Sequence, residues 1–175
     1  MIQDNQNKQR VFETLPPEWD QPLLPLIQEK IKNLNQKIVV LDDDPTGSQT
    51  IHGLPVLTTW SVQTLTQELL NPGPGFFVLT NSRSLDRQKA CVLGMQIGMN
   101  LQMAAELSGI TPIVISRSDS TLRGHFPHEV DAVAAAMGDE DLPYLIFPFF
   151  PEGGRFTIDD VHYVAEGEDL VPVSE

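Results

Sequence analysis

The stretch Lys37-Ile38-Val39-Val40-Leu41-Asp42-Asp43-Asp44-Pro45-Thr46-Gly47 constrains this chain more than any other. Its apolar run, rich in β-branched residues, predicts a buried strand. Three carboxylates follow without a break, and Pro45, Thr46 and Gly47 then stop the strand and open a turn. Like charges this close resist joint ionisation. A fold carries them where they meet a cation, a hydroxylated ligand or basic side chains. In an open sheet of parallel strands, the carboxyl ends of the strands form the crevice where ligands bind. The stretch therefore predicts both a central strand and the rim of a site. The plainer reading is a solvated acidic turn.

Strand and helix signals alternate along the rest of the chain. Leu23, Leu26, Ile27, Ile31 and Leu34 have helical spacing over residues 23–34. A short strand is expected within residues 54–59. A helix over 61–70 starts at a Ser61 N-cap and stops at the Pro- and Gly-rich cluster of residues 71–75. Residues 76–79 form the next strand. Asp86 caps a long helix that closes at Ser108-Gly109. A strand at 113–115, a helix over 126–137 with Pro127 in its first turn, and a strand at 144–147 follow. Residues 1–10 read as disordered. Residues 11–25, with four prolines and Trp19, read as an irregular arm. Apolar pieces at 161–164 and 170–173 predict a hairpin. The fold class is α/β: a mostly parallel, Rossmann-like sheet with helices on both faces and a short β-hairpin near the C-terminus. Residues 1–36 make an arm and helix, and residues 37–175 the α/β domain.

Composition narrows the partners. A net charge of −13 over 175 residues disfavours nucleic acid and anionic membrane surfaces, which both need a basic face. The single cysteine, Cys91, excludes an internal disulfide framework and suits a reducing compartment. The N-terminus is polar, with no apolar core of a signal peptide, so a cytoplasmic location is expected. No metal site is expected: His125 and His128 have an HxxH spacing without a companion set of ligands, which points to packing or capping. Neither a GxxxxGK[ST] loop nor a GxGxxG occurs.

Four of the expected strands, all but the short one within 54–59, end in a polar cluster: Asp42-Asp43-Asp44, Thr80-Asn81-Ser82-Arg83, residues 116–123, and residues 151–155. Parallel strands would put all four on one rim, one acidic and three bearing arginine. That suits a small ligand with hydroxyls and an anionic group. In Asp119-Ser120-Thr121-Leu122-Arg123-Gly124, hydroxyls beside a following helix suit an anion, and Arg123 adds a bidentate fork. A capped turn with a surface arginine is the plain counterpart. Gly154-Arg155 alone reads more readily as a surface turn.

Together these strings resemble the four-carbon acid sugar kinase family. Asp43-Asp44-Pro45-Thr46-Gly47 is similar to its acidic turn after the first strand, and Asp119 to Gly124 to its Asp-Ser-Thr-Leu-Arg-Gly string. The runs ending at Arg83 and Arg155 follow in the same order, so the likeness spans about residues 38–173. It implies that Asp43 and Asp44 orient the sugar hydroxyls as catalytic residues. Arg123, supported by Arg83, would hold the ligand carboxylate, and Ser82, Ser120 and Thr121 would add hydrogen bonds. Asp119, Gly154 and Arg155 complete the substrate-binding set. ATP and Mg²⁺ would bind mainly outside this chain, in a C-terminal nucleotide-binding domain or subunit beyond Glu175. The expected partners are thus a small-molecule sugar acid and that domain, with a homodimer left open. Two departures bear on substrate choice: Pro45 stands where many members have leucine, and Asp42 adds a third acid.

Two other readings compete. Asp42-x-Asp44-x-Thr46 after an apolar strand also fits the first motif of haloacid dehalogenase-like phosphatases, with Asp42 as nucleophile, Asp44 as general acid and Mg²⁺ between them. Against it, Lys89 lies in a helical pattern, Asp159-Asp160 does not follow an apolar strand, and Asp119 to Gly124 goes unexplained. A stand-alone sugar-acid-binding module is the third reading. The Pro-interrupted run through Phe147, Phe149 and Phe150 predicts exposed rings and self-association.

Overall fold

The computed structural model describes residues 5–31, 34–47, 51–121 and 123–173. They divide into two compact units. Gln28–Ser118 and Arg123–Pro143 make a parallel unit, and the other described residues make an antiparallel one.

The antiparallel unit begins with β1 (Gln6–Asn7) and α1 (Lys8–Thr14). Helix α2 (Leu23–Ile31) crosses from one unit to the other in sequence. The parallel unit then runs β2 (Gln36–Asp42), β3 (Val56–Leu57), α3 (Val62–Leu70), β4 (Gly75–Leu79), α4 (Arg87–Ser108), β5 (Thr111–Arg117) and α5 (His128–Met137). The chain closes with β6 (Arg155–Ile158), β7 (Val161–Glu166) and β8 (Asp169–Pro172) of the antiparallel unit. No helix among the described residues is long and apolar enough to cross a membrane.

The parallel sheet has the order β3-β4-β2-β5, so the strand that carries the three acids is central. Its register sets Val39 between Phe76 and Val114, and Leu41 beside Val78. Alternation sends Val39 and Leu41 into one core with Leu65 and Leu69 of α3, Ile97, Leu101 and Ala104 of α4, and Val133 of α5. Ser61 and Asp86 cap α3 and α4 as expected, and Gly109 ends α4 in the left-handed region. All three helices of this core lie on one face of the sheet. Ile38, Ile113 and Ile115 on the opposite face stay about two-fifths exposed, and α2 has no buried residue. Helices on both faces were expected from the strand–helix alternation; within the parallel unit α3, α4 and α5 pack on one face, while the other carries buried Phe77 beside the part-exposed isoleucines.

The antiparallel sheet has the order β1-β8-β7-β6 and contains the expected hairpin as β7 and β8. Three features depart from the sequence reading. Residues 6–10, expected to be disordered, pair with β8 and start α1, capped by Asn7; residues 1–4 lie outside the described residues. Their polarity hid a strand that exists only through a distant partner. Phe12 and Phe156 meet edge to face at 5.2 Å under the Lys8 ammonium, which fixes α1 on the sheet. Second, the stretch Arg155-Phe156-Thr157-Ile158, discounted as a strand, is β6. Third, residues 144–147 form no strand, and Leu145 is 86% exposed. Pro143 and Pro148 flank this short run and remove backbone donors at both ends. Phe147, Phe149 and Phe150 are exposed, as expected of that stretch. Residues 32–33, the end of the expected first helix, lie outside the described residues, and α5 starts at His128, two residues late, behind Pro127.

Two contacts lock the parallel unit. Buried Lys37 donates to the carbonyls of Glu68, Leu69 (3.5 Å) and Asn71 (2.6 Å), closing the C-terminus of α3 onto the start of β2. Helices α4 and α5 meet at Gly98, where an added Cβ would lie 2.7 Å from Ala136 Cβ and 2.9 Å from Val133 O. Alanine in a helix interior normally gains about 1 kcal/mol over glycine. Here the clash reverses the sign, because the nearest obstacle includes backbone. We expect Gly98→Ala to destabilise the protein by about 1–3 kcal/mol in urea unfolding. A stabilised variant would show that the two helices stand further apart.

Candidate functional site

The three acids at the end of β2 meet three different fates. Asp42 is 1% exposed and points toward the turn that follows it. Arg117, at the end of β5, donates to its Oδ1 at 3.2 Å, and the Asp44 N–H donates to its carboxylate. A Cβ on Gly47 would fall 2.2 Å from both Asp42 oxygens and from Arg117 Nη1, so only glycine lets the turn fold over this pair. Asp42 Oδ2 has no hydrogen-bond partner. Burial pushes the Asp42 carboxyl up, against the pull of Arg117.

Asp43 is the best-connected of the three. Its carboxylate takes a fork from Arg83, Nη2 to Oδ1 at 2.7 Å and Nε to Oδ2 at 3.1 Å, and a hydrogen bond from Ser118 Oγ at 2.9 Å. Its N–H donates to Arg117 O, and its carbonyl accepts from the Arg83 N–H. The side chain is 4% exposed against 26% for Arg83. A Cβ on Gly124 would sit 3.0 Å from Asp43 Oδ2 and 2.3 Å from Ser118 Oγ, which explains the glycine after Arg123.

Asp44 is the accessible one. Its Oδ1 accepts from the Thr46 N–H at 2.8 Å and the Thr46 hydroxyl at 2.7 Å, and its Oδ2 takes Arg83 Nη1 at 2.9 Å. The Thr46 hydrogen bonds, with Arg83 behind them, hold this carboxyl below the usual range. Residues 48–50 of the same stretch lie outside the described residues.

Arg83 reaches both acids from a 3-10 turn, Ser82–Ser84, that opens at Asn81 in the left-handed conformation, φ 52°. Asparagine tolerates that conformation better than most residues. Beneath the turn, Thr80 donates its N–H (2.9 Å) and hydroxyl (3.0 Å) to Asp42 O. Fully buried Ser82 lies 3.1 Å from Thr80 Oγ1 and hydrogen-bonds to Glu129, a buried acid in the first turn of α5. Burial pushes the Glu129 carboxyl up, against the Ser82 hydroxyl, which favours its ionised form.

The parallel unit thus brings Asp43, Asp44, Ser82 and Arg83 together as the sequence predicted. Arg123 belongs to the same unit and is exposed. Asp119, Ser120, Thr121, Gly154 and Arg155 belong to the antiparallel unit, and Leu122 lies outside the described residues. Within that unit, Thr121 donates its N–H (3.1 Å) and hydroxyl to Asp119 Oδ2. His162 Nε2 donates to Ser120 O, which leaves Nδ1 to accept from Thr157 at 3.0 Å. Gly154, φ +70°, forms the left-handed turn before β6, where Phe150 pairs back to Arg155. Arg155 donates to Gly153 O, and its buried Nε has no partner. The fourth polar cluster therefore ends no parallel strand, since residues 144–147 form none.

The sequence reading assigned no role to Thr80, Ser118 or Glu129 and gave Arg117 no place in the site. The first two and Arg117 lie in the strand-end clusters, so position alone would have found them. An acid in a helix's first turn is too common to single out Glu129. His125 Nε2 donates to Leu85 O at 3.0 Å, and His128 Nε2 lies 3.3 Å from Arg87 Nη1. An open pocket of about 480 Å³ lies between α1 and the β6–β7 turn in the antiparallel unit, but none of the predicted residues lines it.

The chain matches, over residues 38–175, the family described as the sugar-binding N-terminal domain. It belongs to that family. No curated protein matches it. For a sugar-binding N-terminal domain, a partly exposed carboxylate fixed by an arginine is the right kind of group, because sugar hydroxyls are recognised by oriented acceptors. Asp42, the nucleophile of the phosphatase reading, is buried under Gly47 and paired with Arg117, which takes it out of reach of any substrate.

Breaking the fork on Asp43 leaves a buried carboxylate without its cation. We expect Arg83→Ala to lose about 2–4 kcal/mol of stability at neutral pH, and Arg83→Lys to recover only part, because one ammonium cannot reproduce the fork. Urea unfolding of the three proteins measures this. An unchanged midpoint in the alanine variant would remove the fork from the supports of the turn.

Proposed function

We propose that this chain binds a four-carbon sugar acid of the threonate or erythronate type, as the substrate-binding part of an ATP-dependent kinase. The observation that supports it best is the acidic turn itself. Asp43 and Asp44 are held by one guanidinium, and Asp44 stays ionised and open to solvent. The family match supplies the sugar, and the resemblance of Asp43 to Gly47 and Asp119 to Gly124 supplies the acid and the kinase.

In this reading Asp44 accepts hydrogen bonds from the sugar hydroxyls and Asp43 fixes its position through Arg83. The geometry revises the arginines. Arg83 spends its guanidinium on the two acids, so its support of the ligand carboxylate is indirect. Arg123, exposed in the same unit, is assigned to meet that carboxylate directly. Phosphoryl transfer asks the protein chiefly for positioning and charge stabilisation. A carboxylate held low in pKa serves positioning better than proton abstraction.

The residues described here do not fit Mg²⁺. Among them no three His, Cys, Asp or Glu side chains are grouped as a metal site. Asp42, Asp43 and Asp44 are also engaged by Arg117, Arg83 and Thr46. The nucleotide and its metal are assigned to the companion domain.

Calorimetric titration of threonate and erythronate tests the reading. Asp44→Asn and Arg123→Ala should each weaken binding by roughly 10–100-fold, the loss of one charge-assisted contact. Equilibrium dialysis should show no ATP binding to the 175-residue chain, and a fusion to a companion domain from a close relative should release ADP. Tight ATP binding by the chain alone, or Mg²⁺-dependent hydrolysis of a generic phosphomonoester, would overturn the assignment.

A further inference from the structure

Helix α4 is apolar on two faces, and its own unit uses only one of them. Ile97, Leu101 and Ala104 enter the core of the parallel unit, and Gly94 and Gly98 let α5 come close. On the outer face Val92, Met95, Met99, Met103 and Leu107 recur every third or fourth residue, which lines them up as one stripe. Each is between 48% and 69% exposed, so no described residue covers them. From Ala90 to Ala105 the helix carries no charged residue at all. A surface helix ordinarily turns charged side chains outward, and a helix that is apolar all round is a buried one. The outer stripe is therefore a surface built to be covered.

Two properties of α4 indicate what covers it. The stripe reads the same from both ends. Met95 and Met103 stand four residues to either side of Met99, so a second α4 laid antiparallel across Met99 brings Met95 of each copy to Met103 of the other. An isologous contact needs that self-complementarity. The charges agree with it. Arg87 and Lys89 lie in the first turn of α4 and Glu106 in its last, all exposed. Antiparallel pairing sets the basic start of each copy beside the acidic end of the other, and parallel pairing would set like charges together. Their contacts within the chain are weak: Lys89 makes a solvent-exposed ion pair with Asp86 at 2.7 Å, Glu106 accepts from Gln102 at 3.4 Å, and Arg87 lies beside His128. Methionine suits such a contact, because its flexible thioether fills the irregular gaps between two helices. A lipid surface fits less well, since between its two ends the helix has no basic residue to meet headgroups.

We propose that the outer face of α4 is the two-fold interface of a homodimer, with Met99 of each copy at the axis and Arg87 of each facing Glu106 of the other. The interface uses no residue of the sugar-acid reading, so the two stand or fall separately. It is also distinct from the self-association expected of the exposed rings Phe147 and Phe149.

Sedimentation velocity of the whole chain over a range of concentrations tests the interface. Wild type should sediment as a dimer that dissociates on dilution. Met99→Lys places two ammonium groups against each other in an apolar contact and should weaken the dimer about tenfold or more. Glu106→Arg should weaken it as well, and adding Arg87→Glu to that variant should restore it, a rescue that requires the two helix ends to meet. Phe147→Ser combined with Phe149→Ser should leave the dimer intact. All four positions are exposed in the single chain, so far-ultraviolet circular dichroism of each variant should match wild type. If Met99→Lys does not fold, the charge-swap series decides alone. A wild type that is monomeric at every concentration, a dimer indifferent to the α4 variants, or one broken by the phenylalanine variant instead would overturn the assignment.

Discussion

Two guanidiniums make the acidic turn possible. Three consecutive carboxylates at the end of a central strand would repel each other and pull the strand end into water. Arg83 takes two of them with three nitrogens, Arg117 takes the third, and each arginine arrives from a strand that neighbours β2 or the turn just after it. The parallel order β4-β2-β5 is therefore an electrostatic arrangement as much as a hydrophobic one. Move either neighbour by one residue and the arginines miss the acids.

That dependence explains the glycines around the site. Gly47 and Gly124 are required by what lies against them: the Asp42–Arg117 pair in one case, Ser118 and Asp43 in the other. Side chains at either position would occupy the space of the hydrogen-bonding atoms.

Much of this was legible beforehand. The run from Lys37 to Gly47 announced a strand, a stop and a charge problem, and caps such as Ser61, Asp86 and Gly109 bracketed helices close to where they lie. What escaped was decided at long range. Gln6 and Asn7 are a strand only because β8 receives them. Residues 144–147 failed in the opposite sense: they are apolar enough for a strand, but prolines on either side deny it a ladder. Arg83 was placed correctly and read incompletely, because a sequence shows a cation and not which anion claims it first.

Lys37 carries a consequence of a different kind. Its amine is sealed beneath three carbonyls at the end of α3, whereas Lys89 reaches into solvent beside Asp86. Acylating reagents modify lysines in the order that water can reach them. Lys37 becomes reactive only when α3 lets go of β2, so the rate of its modification is a built-in clock for the opening of this helix, readable by mass without any label added to the chain.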